Sequence, residues 1–134
     1  MRSISILYAE DNPVVLDAVR ETLELEGWQV EACTGGAATL SMIESGSLYD
    51  ALLLDDDLPE ICGIALIRRA RSLPRFQRTP ILMLSASDSP EEALRAGADA
   101  FLHKPRDISR LVETLKRLLD DAEGSLNASA DERR

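Results

Sequence analysis

The chain has 134 residues, of which 45% are hydrophobic and 29% are charged, which is typical of one globular domain. Its 24 acidic and 15 basic residues give a formal net charge of −9, which argues against a surface that binds nucleic acid through its phosphates. The apolar stretch before Glu10 and Asp11 is too short for a signal peptide or a membrane span. The two cysteines fit neither a disulfide framework nor a metal cluster, so we expect a cytoplasmic protein without membrane contact.

Five short apolar runs alternate with longer segments of helical period along the chain. This alternation is typical of a parallel β-sheet that is covered by helices on both faces. The runs predict strands at residues 4–9, 29–33, 51–54, 81–84 and 100–102.

The first three intervening segments carry helix signals. Asn12 and Pro13 supply an N-cap and a first-turn proline, and Gly27 supplies a stop. Apolar residues at helical spacing predict the second and third helices at residues 36–44 and 63–71.

The last two helices differ in length. Ser89 and the proline after it open a fourth helix that Gly97 ends after about two turns. Asp107 opens a fifth helix with a clear apolar stripe. We expect one domain at residues 1–121, followed at residues 122–134 by a small, polar and disordered segment that is a tail or the start of a linker.

Polar residues stand at the carboxyl ends of four of the predicted strands, where open α/β sheets bind their ligands. They are Glu10 and Asp11, the run Asp55, Asp56 and Asp57, Ser85, and His103 with Lys104. Carboxylates gathered this closely repel one another unless a cation lies among them, and an all-oxygen ligand set favours Mg²⁺. Lysine and serine suit an anionic phosphoryl group, so we infer phosphoryl transfer with a carboxylate as nucleophile.

Each of these features also has a structural interpretation. An acidic pair after a strand commonly interacts with a helix dipole, a strand-end serine commonly bonds its own backbone, and a lysine is usually solvated. Five arginines at positions 68, 69, 71, 75 and 78 are either the solvated side of a helix and loop or a docking patch for an acidic partner. The aspartate run favours a functional interpretation, because it adjoins a buried strand and is costly unless neutralised.

The sequence resembles the receiver domain of two-component response regulators from residue 4 to about 120. The matching motifs are AEDNP at 9–13, LLLDDDLP at 52–59 with Gly63, LSA at 84–86 and HKP at 103–105. The resemblance implies an α/β, flavodoxin-like (βα)5 three-layer sandwich with a five-stranded parallel sheet in the order 2-1-3-4-5.

The resemblance also implies roles for individual residues. Asp55 is implied as the phosphorylated aspartate, Lys104 as the partner of the phosphoryl oxygens, and Ser85 as the hydroxyl that moves to bond one of them. Phe101 is implied as the aromatic switch residue, although without the resemblance it is better taken as core. Mg²⁺ is implied to be held by Glu10, Asp11, Asp55 and the backbone carbonyl of Asp57.

The resemblance further implies that the chain takes a phosphoryl group from a histidine kinase or phosphotransfer protein and then changes its contacts with other proteins. Its expected partner after the switch is a downstream effector or a fused output domain. We expect a monomer or weak homodimer that catalyses only its own phosphorylation and dephosphorylation. The sequence departs from the family in a shortened fourth helix, which puts standard dimerisation in doubt, and in Phe101, where tyrosine is common.

Two alternatives remain open at this point. One is a degenerate receiver that acts as a docking module without phosphorylation, which the short fourth helix motivates. The other is a phosphohydrolase of the haloacid dehalogenase type, with Asp55 as nucleophile and Asp57 as general acid. Against the second alternative, the Gly-Thr that usually follows such an aspartate pair is absent, because Leu58 and Pro59 occupy those positions. The chain also has no room for a cap domain.

Overall fold

The computed structural model describes residues 3–87 and 90–132, with side chains as far as residue 124. Its five strands are all parallel and lie in the order β2-β1-β3-β4-β5, which confirms the expected sheet. The strands are β1 Ser5–Ala9, β2 Gln29–Cys33, β3 Ala51–Asp55, β4 Ile81–Ser85 and β5 Ala100–His103.

Helices cover both faces of the sheet and form two separate cores. Helices α1 and α5 pack on one face, and α2, α3 and α4 pack on the other. Short 3-10 turns precede β4 and α5. The helices are α1 Pro13–Glu24, α2 Gly36–Glu44, α3 Gly63–Ser72, α4 Pro90–Ala96 and α5 Leu111–Glu132. None of the helices in the described ranges is long and apolar enough to cross a membrane.

Helix α1 begins where the sequence predicts. The Asn12 side-chain oxygen accepts hydrogen bonds from the backbone N–H groups of Val14 and Val15, at 3.0 and 3.3 Å. These bonds satisfy two N–H groups that have no partner within the helix. The apolar side of α1 then buries Leu16, Val19 and Leu23.

The centre of the sheet is fully buried. Every residue of β3 and of β4 is buried, which is usual for parallel strands covered on both faces. Because β1 and β3 are hydrogen-bonded neighbours, the residues at their carboxyl ends meet at one edge of the sheet.

The fourth helix has seven residues, as short as predicted, and Gly97 follows it at a φ of 122°. The predicted cap, Ser89, lies outside the described residues. The predicted start of the fifth helix was wrong. The Asp107 carboxylate accepts the backbone N–H of His103 at 3.0 Å instead of capping a helix, a 3-10 turn follows, and α5 begins only at Leu111.

The backbone of α5 is helical to Glu132, beyond the predicted loss of order at residue 122. The reason is local. The segment contains no proline and several good helix formers, and extending an existing helix costs much less than nucleating a new one.

Candidate functional site

A cleft of about 550 Å³ lies at the carboxyl edge of the sheet. Glu10 follows β1, Asp55 ends β3 and Lys104 follows β5, and the peptide bond after Lys104 is cis. The Glu10 and Asp55 side chains are each 1% exposed. Lys104 Nζ lies between them and donates to Glu10 Oε1 and to Asp55 Oδ2, at 2.9 Å in each case.

Three carboxylates converge in this cleft. Glu10, Asp11 and Asp55 each offer one oxygen, and these three oxygens all lie within 4.8 Å of one another. Among the residues that the structure describes, Lys104 is the one cation bonded to these carboxylates, and it bonds two of them, so negative charge is in excess there. A hard divalent ion that prefers oxygen ligands fits this donor set.

Backbone N–H groups orient the two buried carboxylates. Glu10 Oε2 accepts the N–H of Asn12 at 3.1 Å, and Asp55 Oδ1 accepts the N–H of Asp57 at 3.2 Å. Both carboxylates therefore have one oxygen on Lys104 and the other on the backbone. The cap residue of α1 thus also belongs to the site, which its sequence signal as a cap did not indicate.

Burial and charge act in opposite directions on the ionisation of the site. Burial raises the pKa of Glu10, and the neighbouring Asp55 adds to this, while the hydrogen bonds from Lys104 and Asn12 oppose it. Burial lowers the pKa of Lys104, but its hydrogen bonds to Asp55 and Glu10 outweigh that effect and the pKa is raised overall. Lys104 is therefore held as a cation by the two carboxylates.

Ser85 lies at the same edge, but its hydroxyl does not contact the carboxylates. Its Oγ bonds Ser87 Oγ at 3.2 Å and accepts the Ser87 N–H at 3.1 Å. Its carbonyl oxygen accepts the N–H of Lys104 at 2.8 Å, which ties the end of β4 to the lysine. The involvement of Ser87 was missed from the sequence, although a hydroxyl two residues after Ser85 was a usable signal.

The remaining predicted residues differ in their burial. Phe101 is half-buried and packs against the core under α2, α3 and α4. The Asp57 side chain is exposed, whereas Asp56 is half-buried and burial raises its pKa. The structure thus brings Glu10, Asp11, Asp55 and Lys104 together. The backbone of Ser85 bonds the backbone of Lys104, but the Ser85 hydroxyl bonds Ser87 instead of the site, and Phe101 packs against the core.

Comparison with known proteins agrees with this geometry. The model of the response regulator receiver domain family matches residues 6–116. The chain belongs to this family. A receiver domain is a signalling domain of two-component systems, and the acidic pocket of Glu10, Asp11 and Asp55 fits a phosphoacceptor site.

Among curated relatives, the receiver domain is 34% identical over 119 residues to the transcriptional regulatory protein TrcR of Mycobacterium tuberculosis, covering 87% of this chain and 45% of that protein. It is 37% identical over 120 residues to the response regulator MprA of Mycobacterium bovis, covering 87% of this chain and 51% of that protein. The chain therefore spans about half the length of the curated relatives it matches.

Solved receiver domains have the same fold. A CheY-like receiver domain protein from Methanospirillum hungatei JF-1 superposes with a TM-score of 0.84 at 31% identity, covering 92% of this chain and 99% of that one. The receiver domain of a sensor histidine kinase from Pseudomonas aeruginosa PAO1 has a TM-score of 0.80 at 30% identity, covering 89% and 99%, and was solved with a magnesium ion coordinated in its active site cleft.

Proposed function

We propose that Asp55 accepts a phosphoryl group from a phosphohistidine on a histidine kinase or a phosphotransfer protein, with Mg²⁺ as cofactor. One observation carries the proposal. Three carboxylates, two of them buried, place oxygens within 4.8 Å of one another at the carboxyl edge of the sheet, and Lys104 bonds the two buried ones. Such an arrangement is unstable as a purely structural feature, because buried like charges repel one another.

The donor set supports the choice of metal. Glu10, Asp11, Asp55 and the backbone carbonyl of Asp57 would hold the ion through oxygen atoms, which Mg²⁺ prefers. When bound, Mg²⁺ neutralises negative charge that develops on the transferring phosphoryl group. The likeness to a receiver domain solved with magnesium supports the same choice.

The protein's own groups provide the nucleophile and the positive charge. A carboxylate oxygen of Asp55 forms the new bond to phosphorus while the phosphorus–nitrogen bond of the phosphohistidine breaks. The bonding electron pair leaves with the imidazole nitrogen, and the product is an acyl phosphate on Asp55. Lys104, already 2.9 Å from Asp55, pairs with the phosphoryl oxygens as a fixed positive charge.

The switch follows from the change of charge at the site. Ser85 turns from Ser87 toward a phosphoryl oxygen, and Phe101 changes its rotamer, which alters the surface around α4 and β5. The altered surface then meets a downstream effector or a fused output domain. The domain catalyses only its own phosphorylation and dephosphorylation, and it acts in the cytoplasm as a monomer or weak homodimer. It comprises residues 1–121, and residues 122–134 form a tail or linker.

Incubation with acetyl phosphate and MgCl₂, followed by intact-mass measurement, tests this proposal. We expect the unaltered protein to gain one phosphate and Asp55→Asn or a chelated sample to gain none. Asp56→Asn is the matched control, because it removes the adjacent carboxylate of the same run and leaves the three converging carboxylates in place; it should still gain one phosphate. Equal phosphorylation of Asp55→Asn, or none of the unaltered protein, would contradict the proposal.

A further inference from the structure

The loop that follows the proposed phosphoacceptor rests on the first turn of α2. This loop, residues 56–62, joins β3 to α3 and will be called the acceptor loop. The backbone N–H of Gly36, the first residue of α2, donates to the carbonyl oxygen of Pro59 at 3.0 Å. The Ile61 N–H donates to the same carbonyl at 2.9 Å, so the acceptor loop folds tightly over Gly36.

This contact leaves no room for a side chain at Gly36. A Cβ atom there would lie 2.1 Å from the Ile61 carbonyl oxygen and 2.7 Å from the Ile61 nitrogen. Both are backbone atoms, so the clash could be relieved only by moving the loop. Glycine is required at this position by close approach of two backbone segments.

The neighbouring Gly35 is in a different situation. Its backbone is extended, with φ −145° and ψ 162°, a conformation that any residue adopts. A Cβ atom there would come within 2.7 Å of Glu60 Oε1, the free end of an exposed side chain, and would otherwise meet nothing closer than 3.7 Å. Glu60 can turn away, so alanine is tolerated at Gly35 without moving the loop.

The acceptor loop is also fastened to the site. Its Asp57 N–H donates to Asp55 Oδ1 at 3.2 Å, and the Asp56 carbonyl accepts the N–H groups of Leu58 and Gly63, each at 3.1 Å. A displacement of the loop at Ile61 therefore shifts the donor that orients the Asp55 carboxylate, together with the backbone of Asp57.

We propose that Gly36 is a positioning residue for the cation site. It acts through the acceptor loop, whose seat on α2 fixes the Asp57 backbone and the orientation of the Asp55 carboxylate. The inference rests on the proposed function, since it assigns to α2 a part in placing ligands of the same Mg²⁺ site. Helix α2 contributes no ligand to the cation site, but it controls the geometry of the ligands through the acceptor loop that rests on it.

Calorimetric titration with MgCl₂ tests the inference on the unaltered protein, Gly36→Ala and Gly35→Ala, with thermal unfolding measured in parallel. We expect Gly36→Ala to bind Mg²⁺ about tenfold more weakly, the scale on which loss of a ligand-orienting contact acts. We expect Gly35→Ala to bind Mg²⁺ like the unaltered protein. A purely structural glycine would lower the unfolding temperature alone, so a folded Gly36→Ala with unaltered Mg²⁺ affinity would overturn the inference.

Amide hydrogen exchange of the unaltered protein provides a test that no folding defect can obscure. The backbone carbonyl of Asp57 would help to hold bound Mg²⁺, which would restrict that end of the acceptor loop, so the bond from the Gly36 N–H to the Pro59 carbonyl should open less often. We expect exchange at Gly36 to slow several-fold with saturating MgCl₂, while exchange at Gln29, whose N–H bonds Ile4 at the far edge of the sheet, stays constant. Unchanged exchange at Gly36 would overturn the inference, and failure of the unaltered protein to bind Mg²⁺ would overturn the proposed function itself.

Discussion

The carboxylate of Glu10 carries a charge that lowers the stability of the metal-free fold. It is 1% exposed and lies near two other carboxylates. Burial raises its pKa above the usual 4.5, and Asp55 adds to the shift against the opposing hydrogen bonds of Lys104 and Asn12. A carboxyl with a raised pKa binds its proton more tightly in the folded state than in the unfolded chain. Stability therefore falls as pH rises from the unfolded pKa to the raised one.

Glu10→Gln removes this pH-dependent loss. In the presence of a chelator, the free energy of unfolding of the unaltered protein should fall relative to the variant as pH rises from 4.5. The difference should level off above the raised pKa. Urea unfolding of both proteins across this pH range measures it. A difference that is constant with pH, or that grows in favour of the unaltered protein, would contradict the electrostatic account.

Tyr8 presents a second buried polar group, two residues before Glu10. The side chain is 0% exposed, and its hydroxyl has no hydrogen-bond partner among the residues that the structure describes. Burial raises the pKa of this phenol, with Glu10 and Asp55 adding to the effect, so the hydroxyl stays neutral. An unsatisfied buried hydroxyl costs stability that phenylalanine would not cost.

Tyr8→Phe should therefore raise the free energy of unfolding by about 1 kcal/mol. The control is Tyr49→Phe, because the Tyr49 hydroxyl does donate a hydrogen bond, to Glu31 Oε2. That variant should lose stability by a similar amount. Chemical denaturation of the two variants checks both signs, and a destabilised Tyr8→Phe would show that the hydroxyl has a partner in solution.

Arg71 of α3 holds the short helix α4 in place. Its guanidinium donates to the carbonyl oxygens of Phe76, Thr79 and Gly97 at 2.6, 2.8 and 2.9 Å, and to the Asp99 carboxylate at 2.9 Å. One side chain of α3 thus joins the end of α4 to the segments that enter β4 and β5. The planar group with its fixed donors suits this arrangement.

Arg71→Met should lower the free energy of unfolding by about 2 to 4 kcal/mol, since it leaves several carbonyl groups without a donor. Arg68→Met is the matched control on the same helix. Arg68 is exposed and has no hydrogen bond or ion pair within the described part of the chain, so its replacement should change stability by less than about 0.5 kcal/mol. Equal effects of the two substitutions in thermal unfolding would refute this role of Arg71.

Three of the five arginines at positions 68, 69, 71, 75 and 78 make contacts within the fold. Besides Arg71, Arg69 bonds Glu44 at 2.8 Å, and Arg75 donates to the Ile43 carbonyl and lies over the Phe76 ring. These internal contacts leave Arg71 and Arg75 half-buried rather than solvated, and they argue against the docking patch that the sequence also allowed.

The parallel sheet makes the position of the site predictable from the sequence. Alternating apolar runs and helical segments indicate a parallel sheet, and parallel strands bring their carboxyl ends to one edge. The convergence of Glu10, Asp11, Asp55 and Lys104 could be inferred from this alone. The order of the strands could not, since periodicity does not specify which strands pair, and it came from the resemblance.

Side-chain rotamers and loop contacts lay beyond what the sequence could predict. Lysine has a long flexible side chain, so its place at the edge was predictable, but not its bonds to Glu10 and Asp55. The bond of Ser85 to Ser87 and the seat of the acceptor loop on Gly36 depend on tertiary packing in the same way. The start of α5 was misplaced because Asp107 binds a backbone N–H of the preceding strand.

Locating the phosphate within the run of three aspartates distinguishes Asp55 from its neighbours as the acceptor. Borohydride reduces an acyl phosphate, so the phosphorylated aspartate becomes a homoserine that peptide mass mapping identifies. After treatment with acetyl phosphate and MgCl₂, we expect homoserine at position 55 and unmodified aspartate at positions 11, 56 and 57. Homoserine at one of those other positions, with Asp55 unmodified, would contradict it.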